Sequence, residues 1–214
     1  ARAAIRRPLS TAARVSVWVV DTDGVPLGIA RSQDAPVFGI DVALQKARTA
    51  VFFSSVDAAE KIASAQVRNG FGAFDDYLTP SQAMLGAAAF ADGAAFAARS
   101  IGNLSRPFFV DGIDGNPNGP LSLPFPGNET LRSWSPFNTG LQLDLIFQRL
   151  VAPIGIPVFP QQLPDSCSDR AVFGNRLANG IQIFPGAVPL YKGDSLVGGI
   201  GVSGDGIDQD DLVA

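Results

Sequence analysis

A chain of 214 residues has room for one large domain and not for two independent large ones. Apolar residues make up 46% and charged residues 17%, with a mean hydropathy of +0.19, which excludes a chain kept disordered by its charge and predicts a substantial core. The 16 basic and 20 acidic side chains leave a net charge of -4, the wrong sign for phosphate backbones or anionic lipid, so nucleic acid is not expected as a partner.

The opening residues Ala1 to Arg7 read as the tail of a helix, hence as a processed or trimmed piece from which any signal peptide would already be gone. From Val15 to Val20 the residues are β-branched or aromatic. Asp21-Thr22-Asp23-Gly24 then supplies turn chemistry before a second run, Val25 to Arg31, which together predict a β-hairpin. Beyond the break at Asp34-Ala35-Pro36, Ile40, Ala43, Leu44, Ala47 and Val51 recur at helical spacing, with Gln45, Lys46, Arg48 and Thr49 between them. This predicts an amphipathic helix from Gly39 to Phe53.

Asp57 and Glu60 have the spacing of a capping box for a second helix ending near Gly70, and Thr79-Pro80-Ser81-Gln82 opens an alanine-rich third. The longest apolar stretch, Ala83 to Ala98, is broken by Asp92 and by glycines, so no membrane span is expected. Ten of the sixteen prolines fall between Ile101 and Asp165, which predicts mostly irregular backbone interrupted by one helix, about Thr139 to Val151. Strands are predicted at Ile181 to Phe184, at Ala187 to Tyr191 and, after a turn at Lys192-Gly193-Asp194, from Ser195 to Ser203. On that last strand Gly199 and Gly201 share a face, leaving room for either a tightly packed helix or a ligand. Asp205, Asp208, Asp210 and Asp211 could bind a metal or perform acid–base chemistry, but at a helix start they read more economically as an acidic first turn, capping and solvated.

Histidine is absent. Ser-His-Asp and Cys-His nucleophile pairs, zinc sites of the Cys/His kind and histidine-ligated haem all fall away with it. The one cysteine, Cys167, cannot close an intrachain disulfide and reads as a small, partly buried residue or a reactive thiol. Asp114, Asn116 and Asn118 match the first half of a calcium loop, but its twelfth position would be Phe125 rather than a bidentate Glu; a turn-rich loop bonding to its own backbone is the competing reading. Lys46 and Arg48 are a pair of cations able to hold a carboxylate, or else a solvated or subunit-facing pair. The sequons at Asn103 and Asn128 matter only in a secretory eukaryotic host, and the glycines near the end of the chain are misplaced for a dinucleotide fold.

Three blocks, Val17 to Gly24, Lys46 to Ala50 and Pro185 to Tyr191 leading into Leu196 to Gly204, together resemble the GlcG/HbpS-like haem-degrading domain family. The resemblance implies an α/β domain of the α+β, profilin-like type, with a mostly antiparallel sheet of about five strands flanked by helices. It further implies homo-oligomers and a tetrapyrrole or other small-molecule ligand. The chain then reads as a single domain, 1–214, with its core in 1–69 and 181–214 and an insertion at about 70–180, like larger secreted bacterial haem-binding members. A periplasmic or extracellular location is expected on that ground.

With no histidine, haem would rest on apolar contacts and on propionate pairing with Arg or Lys, with Tyr77, Tyr191, Met84 and Cys167 as the remaining axial candidates. The pocket is expected around Lys46, Arg48, Tyr191, Gly199 and Gly201. Competing readings are a structural or assembly domain, with the aromatic insertion (Phe108, Phe109, Phe125, Trp134, Phe137, Phe147) at a subunit interface, and an enzyme working through carboxylate, Lys or Tyr chemistry.

Overall fold

The computed structural model describes residues 10–67, 76–109, 116–122, 140–150 and 166–214. The predicted hairpin forms as β1 (Ser16–Val20) and β2 (Pro26–Arg31), paired antiparallel. Its turn is tied by the Asp21 carboxylate, which accepts from the N–H groups of Asp23 and Val25, and by Gly24 at φ +74°. The second hairpin is β3 (Ala187–Lys192) and β4 (Ser195–Ser203). β4 also pairs antiparallel with β1, Ser16 opposite Ser203 and Val20 opposite Gly199. All four strands therefore make one antiparallel sheet in the order β2-β1-β4-β3.

The sheet has four strands, not about five, because Ile181 to Phe184 does not join it. The N–H of Gln182 donates to Thr49 Oγ1, and those of Ile183 and Phe184 to the Gln182 side-chain oxygen. With their donors engaged by side chains, these residues form no ladder.

Helix α1 (Gly39–Phe53) lies across one face of the sheet, with Ala43, Ala47 and Val51 against the strands. It is buried almost all round: Lys46, Arg48 and Thr49, expected on a polar face, are covered as well. Helix α2 (Ala58–Val67) follows, and α3 (Leu78–Leu85) is shorter than its alanine-rich sequence predicts, stopping at Gly86 with φ +104°. Asp57 does not act as a simple cap; its carboxylate forms a two-point ion pair with Arg176, at 2.8 and 2.6 Å.

Two helices go beyond the expected elements: α4 (Ala98–Leu104), which buries Ala98, Ile101 and Leu104 at i, i+3 spacing, and the single turn α6 (Arg170–Phe173). The predicted helix near 139–151 is α5 (Leu141–Leu150), and the acidic terminal helix is α7 (Ile207–Val213). The largest cluster of buried apolar residues joins the end of α1 to α2, α4, α5 and α6 through Phe52, Phe53, Ile62, Ile101, Leu145 and Phe173. It lies beyond the helix from the sheet. On the opposite face of the sheet, α7 packs at one corner through Val213 against Val15 and Val202.

Candidate functional site

The glycines of β4 decide where a ligand could lie. A Cβ on Gly201 would stand 2.6 Å from the Ala47 nitrogen, and one on Gly199 would stand 2.6 Å from Val51 Cγ2. Of the two readings of this face, the structure takes the tightly packed helix: the backbone of α1 occupies the space that a ligand would need at Gly199 and Gly201.

The cleft opens instead at the end of β4. There Ser203 and Gly204 lead into α7, and the first turns of α1 and the 181–184 run close the other sides. The resulting cavity, about 360 Å³, has apolar walls of Phe38, Val42, Phe184 and Ile207. That volume is at the small end of ligand sites. Its polar lining includes Lys46 and Asp210, both nearly inaccessible to solvent.

Lys46 Nζ donates to Asp210 Oδ2 at 2.8 Å and to the Val202 carbonyl at 2.9 Å, tying α1 to both α7 and β4. Burial holds the Lys46 ammonium below its ordinary value, against the pull of Asp210; the same burial pushes the Asp210 carboxyl up, against the pull of Lys46. The Gly204 N–H beside the carboxylate also pulls that pKa down, and Asp210 Oδ1 is enclosed by protein atoms.

The expected ligand residues do not converge. Arg48 donates to the Gly24 carbonyl at 2.8 Å and to Asn179 Oδ1 at 3.1 Å, bracing the β1–β2 turn. Tyr191 lines a second, more polar cavity of about 310 Å³ with Asp57 and Arg176, and donates its hydroxyl to the Gly93 carbonyl at 2.8 Å. Only Lys46 of the five lies in the larger cavity. Of the other axial candidates, Tyr77 is buried with its hydroxyl on Asp144, Met84 is exposed on α3, and Cys167 is half-buried.

Asp114 lies outside the described residues. Asn118 Nδ2 donates to the Gly119 and Ser122 carbonyls, which leaves its amide serving the local turn, and Asn116 is exposed. Among the described residues no group of three His, Cys, Asp or Glu side chains is placed to hold a metal ion.

Of the terminal carboxylates, Asp208 is largely solvated, as expected, while Asp210 is buried and the others are partly covered and paired. Besides Asp210, Asp205 accepts from the Arg14 N–H, Asp208 and Asp211 meet Arg99, and Asp211 accepts from the Gly186 N–H. The sequence reading placed Asp210 in an acidic first turn and Phe184 in a strand, and grouped neither of them, nor Phe38 or Ile207, with Lys46. The available signal was Lys46 itself: a cation set among Ala43, Ala47 and Ala50 on a buried helix needs an acidic partner.

Residues 161–214, about a quarter of the chain, match the family model described as "Haem degrading protein HbpS-like", in line with the resemblance read from the sequence. No curated protein matches. Among solved structures, similarity is found to the Klebsiella pneumoniae protein ORFY of the DUF336 family, at 18% identity over 94% of this chain and 70% of that one, with a TM-score of 0.39. It is also found to a PduOC:heme complex, at 15% identity over 94% and 74% of the two chains, again with a TM-score of 0.39.

Proposed function

We propose that the chain is a binding module for a small, largely apolar molecule, a tetrapyrrole being the first class to test, held without histidine between α1, the end of β4 and α7. The observation that carries this reading is the cavity of about 360 Å³, apolar in its walls with a buried Lys46–Asp210 pair in its lining. Seven of its ten lining residues, Gln182 to Asp210, fall inside the segment that matches the haem-degrading family model, which supports the reading.

The lining does not fit haem iron. None of the ten residues is a tyrosine, cysteine or methionine, and the chain has no histidine, so the usual protein axial donors are missing there. Lys46 and Arg48, the cations expected to meet propionates, are engaged with Asp210 and with Gly24 and Asn179. A tetrapyrrole would be gripped by a ring edge and by hydrogen bonds rather than through its metal.

The test is a titration with haemin and with metal-free protoporphyrin, followed by absorption and by thermal shift. Saturable binding is expected, weakened about tenfold or more by Phe184→Ala, which removes an aromatic wall, and unchanged by Tyr191→Phe. The absence of a spectral or thermal response to either compound overturns the reading, as does binding that Phe184→Ala leaves untouched.

An assembly role is the second reading. It is favoured by the sheet face away from α1, where Val17, Val19, Val188, Leu190 and Ile200 are only half-buried. Size measurement on dilution tests it, and a strictly monomeric chain contradicts it.

A further inference from the structure

We infer that the α1–β4–α7 cavity continues across Phe184 and Ile207 into a second, cationic cavity, and that the ligand is an elongated molecule with an apolar body and a carboxylate at one end; this rests on the binding reading above. Phe184 and Ile207 line both spaces, the second of which measures about 250 Å³ and is completed chiefly by α4 and the residues just after it. Ile207 is 48% exposed, so the divide between the two is open to solvent on that side. Together they reach the middle of the usual range of ligand volumes, whereas either alone stands at or below its lower end.

The second cavity follows from the sequence of α4. Arg99, Gly102 and Asn103 stand at i, i+3 and i+4 and so share one face of the helix, and Arg106 follows just past its end. Gly102 lets the 181–184 run lie directly on this face, since a Cβ there would collide with the Ile183 carbonyl. Ile183, Phe184 and Pro185 thereby form an apolar floor beside Arg99, Asn103 and Arg106. Arg99 is tied to Asp211 and Asp208, at 2.6 and 3.3 Å, but neither carboxylate belongs to the lining. The lining thus presents two guanidinium groups and no acid. A guanidinium donates from five N–H groups and accepts none, so a carboxylate is met by charge-assisted, two-point bonds and an amine is repelled. In the first cavity Lys46 and Asp210 cancel each other, which suits the uncharged body. An aromatic acid, or a tetrapyrrole carrying propionates, has this layout.

The probes are 4-phenylbutyrate, 4-phenylbutyramide and 4-phenylbutylamine, one apolar body with an anionic, a neutral or a cationic end, each titrated by calorimetry at fixed ionic strength. The acid is expected to bind about tenfold more tightly than the amide, the low end for hydrogen bonds to a charged group, and the amine most weakly. In Arg106→Gln the advantage of the acid over the amide should fall below about threefold. This readout is a ratio, so a partly unfolded variant, which weakens both alike, does not imitate it. Phe38→Ala, at the far end of the first cavity, should weaken all three probes alike. An acid no tighter than the amide overturns the inference, as does an advantage that survives Arg106→Gln. So does binding that Phe38→Ala leaves untouched, because the body then does not enter the first cavity, and so does the failure of all three probes to bind. The wider reading is separable: it falls only if haemin and protoporphyrin also fail to bind.

Discussion

Lys46 and Asp210 show how far a single residue can be read from its neighbours in the chain. The helical register of Lys46 was legible, because Ala43, Ala47 and Val51 set the period around it. Its partner was not, since Asp210 sits on another helix in what reads locally as an acidic first turn. The energetic consequence is asymmetric. Removing one member strands the other in a buried site and should cost about 3–5 kcal/mol, whereas Lys46→Met with Asp210→Leu should be near neutral or stabilising. Chemical denaturation of the three variants checks both statements.

The Asp57–Arg176 pair behaves differently, for Asp57 is partly exposed. Arg176 holds its carboxyl well below the ordinary carboxylate range, chiefly through the hydrogen-bonded pair. A depressed native pKa stabilises the fold above the unfolded value, about 3.9, and that contribution is lost as pH falls through the native one. Asp57→Asn should therefore lower stability by about 1–2 kcal/mol at neutral pH, after discounting for exposure. In acid unfolding curves the gap from the parent chain should begin to narrow below about pH 4 and go on narrowing as pH falls toward the native pKa.

At the scale of elements, local pattern was most informative where it was also complete. The bounds of α1 and β4 follow from helical spacing between a proline-containing break and the polar Ser54-Ser55, and from a Lys-Gly-Asp turn. Ile181 to Phe184 has the composition of a strand, but Thr49 and Gln182 side chains engage its backbone donors, a contact that composition does not encode. Likewise, alanine propensity beyond Leu85 yields to Gly86. The glycine face of β4 supplies the sharpest test of α1 packing. Gly201→Ala drives a methyl group into the helix backbone and should cost about 3 kcal/mol or more. On the edge strand β2, Gly28 has open space around its Cβ direction, so Gly28→Ala should change stability by less than about 1 kcal/mol. Thermal melts of the two variants decide the matter.

For the molecule as a whole, the two hairpins were legible in the residues themselves, whereas their union in one sheet was implied only by the family resemblance; the β1–β4 ladder makes that union. The position of the cleft was not, because its lining comes from three separate stretches of chain, around residues 38–46, 182–184 and 203–210. No one stretch bears a binding pattern by itself.

The β1–β4 ladder also governs the order in which the protein can be made. During synthesis the amino-terminal hairpin leaves the ribosome long before β4 exists, with β1 presenting an unpaired row of backbone donors and acceptors for most of translation. A chaperone that covers this edge, or slow handling of the nascent chain, should improve the yield of native protein more than any change near the cleft.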